Sequence, residues 1–162
     1  MAAAEAARLT ALEISAQGMA LAEALALRVG RDGGAALVVD YGQDGPYGDS
    51  LVALKAHGPV HPLAAPGTAD LSARVDFGAL AAAVSEVAGA KPHGPITQAA
   101  LLGGLGLTAR LEALAAAAAD DDAVDALVAG ATRLVAPDAE GGMGDTYAAL
   151  AIAPVGRAPV PF

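Results

Sequence analysis

Apolar residues in the first part of the chain recur with a helical period. Between Thr10 and Val29, Leu12, Met19, Ala20, Leu21, Leu25 and Leu27 are interleaved with Glu13, Gln17, Glu23 and Arg28, which predicts an amphipathic helix. A glycine-rich turn over 30–34 ends it. The run from Ala35 to Tyr41, with Val38 and Val39 at its centre, has the length and β-branched content of a buried strand. From Gly42 to Gly67 the chain is dense in Gly and Pro, which predicts a long loop with one or two helical turns between Leu51 and Ala56. A loop of that length inside a compact domain is usually functional. Asp70-Leu71-Ser72 reads as a cap or turn, and Phe77 to Ala88 as a helix with Leu80, Val84 and Val87 on one side. Pro92 to Gln98 is predicted as an edge strand, where proline is tolerated. Three helices follow, over Gln98–Leu105, Thr108–Ala119 and Asp121–Val135. A last strand spans Asp145–Ile152, and 154–162 reads as a frayed tail. The expected organisation is therefore one α/β domain over 1–153 plus that tail.

Composition limits how firmly these pieces can pack. The chain has 162 residues and is 55% hydrophobic, but alanine is by far its most frequent residue and aromatics make up only 3%. An alanine buries one methyl, whereas a Leu or Phe contributes roughly 1.5–3 kcal/mol on burial. A modestly stable fold follows. The net charge of −9, with nine Lys and Arg and no basic cluster, argues against nucleic acid as a partner. With no cysteine there are no disulfides, thiolate metal sites or thiol nucleophiles. Charges at Glu5, Arg8, Glu13, Glu23 and Arg28 break up the first thirty residues, so no signal peptide or membrane span is expected there. The same stretch lacks the Arg-rich, acid-poor character of a mitochondrial presequence.

Candidate chemistry gathers at the end of the first strand. Asp40 and Tyr41 stand at its carboxyl end, the edge at which open α/β sheets place their ligands. A carboxylate there matches the planar fork of a guanidinium, and either Asp40 or His57 could take up a proton from one. The plainer alternative is that Asp40 caps the next turn and Tyr41 packs. His57 and His61 are four apart, but Gly58-Pro59 interrupts any helix that would bring them together on a metal. His93, next to Pro92, reads as an exposed loop residue. Asp120, Asp121 and Asp122 open a helix, where carboxylates cap free amides. Gly104-Leu105-Gly106-Leu107-Thr108-Ala109 fits a dinucleotide fingerprint, but the segment before it reads as helix and not as the strand such a loop requires.

Three stretches taken together carry a resemblance. The first is Gly33-Gly34-Ala35-Ala36-Leu37-Val38-Val39-Asp40-Tyr41-Gly42. The second comprises Asp49-Ser50-Leu51, His57, Pro62-Leu63, Pro66-Gly67-Thr68-Ala69-Asp70-Leu71-Ser72 and Val75-Asp76-Phe77. The third comprises Gly94-Pro95-Ile96-Thr97-Gln98, Leu102, Leu105-Gly106-Leu107, Arg110 and Met143-Gly144. In this order and spacing the chain resembles the C-terminal half of the MidA-like S-adenosylmethionine-dependent protein arginine methyltransferases, over roughly residues 10 to 153. The mitochondrial members of that family include complex I assembly factor seven. Gln43, Ser72 and Arg74 depart from the usual pattern, which often has His, Thr and (in bacterial members) His at these positions.

The resemblance implies the C-terminal portion of a class I, Rossmann-like methyltransferase sheet, about three strands with flanking helices. The family's cofactor loop and ribose-binding acid lie on strands upstream of anything matched here. S-adenosylmethionine is thus expected in the full-length enzyme and not on this chain alone. Asp40 and His57 become the catalytic candidates and Tyr41 and Gly42 the substrate-binding ones. The implied partners are a protein substrate offering an arginine, possibly a complex I subunit, and the missing N-terminal half of the same enzyme. A mitochondrial location is implied as well, or the cytoplasm for a bacterial member. The strand Ala35–Asp40 should then show an unpaired edge. A non-catalytic binding or scaffold module derived from the family is the alternative role.

Overall fold

The computed structural model describes residues 12–45 and 48–162. Helix α1 spans Ala16–Asp32; Ser15 caps it by accepting the Gly18 amide at 3.1 Å, and Gly33, at φ 78°, ends it. It begins later than the apolar period suggests, because Glu13 turns away to bond Ser50 and Leu51. Thr10 and Ala11 lie outside the described residues. Ala22, Ala26 and Val29, spaced one helical turn apart, are its buried stripe.

Strand β1 is Ala36–Gln43. The helical turns foreseen at Leu51–Ala56 are instead β2 (Val52–Lys55), which is flanked by β3 (Gly58–Val60) and β4 (Asp70–Ser72) in a small antiparallel sheet ordered β3-β2-β4. Asp70-Leu71-Ser72 is therefore a strand and not a cap, since it pairs with Val52–Leu54, far away in sequence. The two-residue β5 (Val75–Asp76) leads into α2 (Phe77–Ser85), where Asp76 accepts the Ala79 amide at 2.9 Å. Strand β6 (Ala90–Thr97) has a register shift between His93 and Ile96, at the cis Gly94-Pro95 bond. His93 thus sits half-buried in a strand, not in a loop, and its Nε2 has no hydrogen-bond partner among the described residues. Helices α3 (Gln98–Gly104), α4 (Leu107–Ala116) and α5 (Asp121–Val135) precede a 3-10 turn at Asp138–Glu140 and the last strand, β7 (Tyr147–Pro154). Asp120 caps α5 through the Ala123 amide at 2.9 Å. Because α3 precedes it, the Gly104–Ala109 motif lacks the strand that a dinucleotide loop needs.

The main sheet is ordered β5-β1-β7-β6. Strand β7 runs antiparallel to both β1 and β6, whereas β5 is parallel to β1. With neighbours on both sides, β7 is buried from Ala148 to Ala153 and reads as a continuous apolar run. Helices α1 and α2 cover one face. Phe77, Val84, Leu150 and Ile152 are the largest fully buried side chains, joined by Ala22, Ala26 and Val29, with Ala36 and Val38 packed alongside.

On the opposite face Leu37 and Val39 remain about half exposed. On its outer side β1 is paired, among the described residues, at Gly42 and Gln43, and its edge from Ala36 to Tyr41 has no described neighbour. After Pro154 the chain is exposed as far as 158, and its last residues fold back on the domain. Pro161 lies against Gly104, and Pro159 to Phe162 line an apolar cleft of about 180 Å³ with Leu37, Leu101, Leu105 and Ala151. Among the described residues no single helix is long and apolar enough to cross a membrane.

Candidate functional site

Three of the four candidate residues, Asp40, Tyr41 and Gly42, stand side by side toward the carboxyl end of β1. Gly42 donates its amide to the Thr146 carbonyl on the β7 side at 3.2 Å. Because successive amides alternate along a strand, the Tyr41 amide points to the open edge. Asp40 turns its exposed carboxylate to that edge and accepts the amide at 2.7 Å. The pleat places the side chains of Asp40 and Tyr41 on opposite faces of the sheet. A ligand that touches both must therefore come in along the edge.

Tyr41 pairs directly with Tyr147 across the β1–β7 ladder, and the two rings meet edge to face with centroids 6.0 Å apart. From the other side Arg74 brings its guanidinium to 4.8 Å from the centre of the Tyr41 ring, and its Nε donates to the Tyr41 hydroxyl at 3.0 Å. The Arg74 amide donates to Ser50 Oγ at 2.9 Å, and the Ser50 hydroxyl in turn donates to the Glu13 carboxylate. Glu13 also accepts the Ser50 and Leu51 amides, at 2.9 and 3.1 Å. One chain of polar contacts thus joins the segment before α1, the loop after β1 and the β4–β5 connection around Tyr41.

Gly42 is buried, and a Cβ there would strike the Val75 carbonyl oxygen and stand 3.0 Å from the Phe77 ring. The close approach of β5 to β1 accounts for a glycine at this position. His57 lies elsewhere, at the exposed turn of the β2–β3 hairpin, where it and Ala56 have φ of 63° and 50°. No hydrogen bond among the described residues links it to Asp40. Sequence reasoning missed Glu13 and Tyr147, and it noted Arg74 only as a departure from pattern. Glu13 and Arg74 act across 37 and 33 residues, a separation with no periodic signature.

Other residues of the recurring motifs serve the fold. Gln98 Nε2 donates to the Leu134 and Met143 carbonyls at 2.7 and 3.3 Å, satisfying the end of α5. The amides of Met143 and Gly144 bond Arg133 and Ala136 at 2.9 and 2.8 Å.

A family model for S-adenosyl-L-methionine-dependent methyltransferases matches residues 3–96. The chain belongs to this family. Among curated relatives, the mitochondrial protein arginine methyltransferase NDUFAF7 of Danio rerio is 47% identical over 66 residues, which cover 41% of this chain and 16% of the relative. The Homo sapiens protein of that name is 44% identical over 66 residues, 41% of this chain and 15% of its own length. The crystal structure of a COG1565 superfamily protein from Burkholderia thailandensis shares the fold, with TM-score 0.73 and 24% identity over 93% of this chain and 42% of its own. Another superfamily member from that organism, bound to S-adenosyl-homocysteine, has TM-score 0.69 and 25% identity over 93% of this chain and 40% of its own. The chain therefore spans about two fifths of the solved relatives, and the family's α/β fold is what it shares with them.

Among the described residues no strand runs through a glycine-rich loop into a helix. A nucleoside with a ribose diol calls for a strand-to-helix glycine loop and a nearby acid. Here β1 runs into a β-hairpin, and the glycines at 104 and 106 follow a helix. The apolar cleft beside α3 and a second one near Lys91 have no carboxylate in their linings.

Proposed function

We propose that this chain is the substrate-side, C-terminal portion of a protein arginine methyltransferase, and that the cofactor is held by parts of the enzyme with no counterpart here. Support comes from the family membership and from the curated relatives, which are named as arginine methyltransferases. The observation that carries the reading is the position of Asp40 and Tyr41 toward the carboxyl end of β1, paired with antiparallel β7 and just ahead of the point where parallel β5 joins at Gly42. At such an edge α/β sheets take their ligands. Asp40 pairs with the substrate guanidinium and accepts the proton a nitrogen sheds on gaining a methyl group. His57 is the second candidate acceptor, and Tyr41 and Gly42 shape the pocket. The open edge of β1 receives a strand from the cofactor-binding part. For the protein substrate we propose a complex I subunit, on the resemblance to the mitochondrial members of the family alone.

Asp40→Asn tests the reading in the enzyme purified with every segment its gene encodes. The change keeps the shape and removes the charge, so methyl transfer to arginine should fall at least tenfold, equivalent to about 1.4 kcal/mol, with the melting temperature unchanged. Unaltered turnover would remove Asp40 from the site. A fall in stability with turnover per folded molecule intact would assign Asp40 to protecting the Tyr41 amide.

A further inference from the structure

We propose that Glu13 is a positioning residue for the candidate site: acting through Ser50 and Arg74, it fixes the wall that lies against the Tyr41 ring. The inference rests on the reading of Tyr41 as a substrate contact and adds to that site a residue from outside β1.

Glu13 stands just ahead of α1, yet its carboxylate takes three donors from Ser50 and Leu51. One oxygen accepts the Ser50 amide at 2.9 Å and the Leu51 amide at 3.1 Å, and the other accepts the Ser50 hydroxyl. Bonds of this kind to an ionised acceptor are stronger than neutral ones. Asp49, just before the two amides, has φ 57°, the left-handed conformation from which successive amides converge on one oxygen.

These contacts fall at the root of the β3-β2-β4 sheet. Val52 pairs with Ser72 in the β2–β4 ladder, and two residues further along each strand the same register sets Ser50 against Arg74. There the Ser50 hydroxyl accepts the Arg74 amide at 2.9 Å while it donates to Glu13. A single hydroxyl thus joins the chain entering the small sheet, the chain leaving it and the segment ahead of α1. Arg74 passes the constraint to β1, since its Nε donates to the Tyr41 hydroxyl at 3.0 Å and its guanidinium lies 4.8 Å from the ring centre. Asp40 is held separately: its carboxylate accepts the Tyr41 amide within β1, and that strand is paired with β7. Loss of Glu13 therefore loosens the Tyr41 side of the site and leaves Asp40 in place. Substrate binding should weaken while the chemical step survives.

Steady-state kinetics with an arginine peptide test this in the enzyme purified with every segment its gene encodes. Ser50→Ala leaves Glu13 both amides and removes only the joint. It and Glu13→Ala should each raise KM about tenfold with kcat within about twofold of the parent. Because both cut one path, the double variant should be no worse than either single one. Glu13→Gln keeps an oxygen for the two amides, so its KM should lie nearer the parent's than that of Glu13→Ala. The proposal is overturned by a parental KM in Ser50→Ala, by effects that add in the double variant, or by a lower melting temperature with KM unchanged, which would assign Glu13 to the fold alone. If Glu13→Ala does not fold, Ser50→Ala decides the matter. In the 162-residue chain, Ser50→Ala should also shift the Tyr41 ring resonances by NMR. That shift in a parent that transfers no methyl group to arginine would defeat the methyltransferase reading and leave Glu13 acting on Tyr41. Methyl transfer by the parent, with KM unmoved in both single variants, would defeat the positioning role and leave the reading.

Discussion

Gly42→Ala puts one methyl group where β5 meets β1. The backbone of Gly42 is ordinary strand, so the cost comes from space and not from conformation. The new Cβ would overlap the Val75 carbonyl oxygen and press to 3.0 Å on the Phe77 ring. Neither neighbour yields easily, because Val75 is paired in β5, Asp76 caps α2, and Phe77 is fully buried at the centre of the core. Overpacking of this kind typically costs 1–3 kcal/mol. The upper part of that range applies, since the blocking atom belongs to the backbone. For a chain of this size each kcal/mol moves the midpoint by about 2–4 °C, so a loss near 2–3 kcal/mol corresponds to a fall of about 4–12 °C. Thermal melts followed by circular dichroism measure this directly. Gly130→Ala is the control: it lies inside α5 with nothing within 4 Å of the added carbon, and it should gain about 0.8–1 kcal/mol from helix propensity. A Gly42→Ala midpoint within a degree of the parent, with the control rising as stated, would refute the packing account and leave ligand contact as the reason for Gly42.

Other consequences are open to measurement. Leu37 and Val39 lie within the stretch of β1 that has no described outer neighbour, and an apolar unpaired edge is a template for another chain, so the parent should associate with rising concentration and Leu37→Lys/Val39→Lys should scatter as a monomer. A monomeric parent whose Leu37 and Val39 amides exchange slowly would argue that the edge is covered. Calorimetry with S-adenosylmethionine should give no saturable micromolar binding to the 162-residue chain, and such binding would defeat the claim that the cofactor is held elsewhere. Asp120→Ala removes the α5 cap and should lower stability by about 0.5–2 kcal/mol in a denaturant melt; no change would mean that Asp121 or Asp122 takes over the amide.

Legibility from sequence followed the range of the interactions involved. Strand β1, the helices α2, α3, α4 and α5 and the end of α1 fall within a few residues of their expected places, because an apolar period and a cap such as Asp120 are local features, whereas the start of α1 was set too early. The β2–β3 hairpin was not legible. Its turn places Ala56 and His57 at positive φ, where a sequence signal would have been Asn-Gly, and β4 joins it from beyond a loop rich in Pro and Gly. In the tail, Pro159, Pro161 and Phe162 are half-buried because Gly104 leaves room for Pro161 and α3 presents Leu101 and Leu105, whereas Val155 and Val160 stay exposed.

The candidate site divides along the same line. Sequence by itself determined that a carboxylate and a tyrosine stand near the end of an apolar strand, and its motifs pointed to the methyltransferase family; that this strand is largely exposed and not buried is visible only in the structure. Only the tertiary structure decided that Asp40 and Tyr41 face opposite sides, that Gly42 is a packing necessity, and that His57 sits apart on a hairpin tip. It also brought Glu13, Ser50, Arg74 and Tyr147 to one ring. The physical reason is that side-chain periodicity reports only which face of its own element a residue occupies. Which residues from other elements meet that face depends on strand order and register, and these are set by long-range pairing that no local pattern encodes.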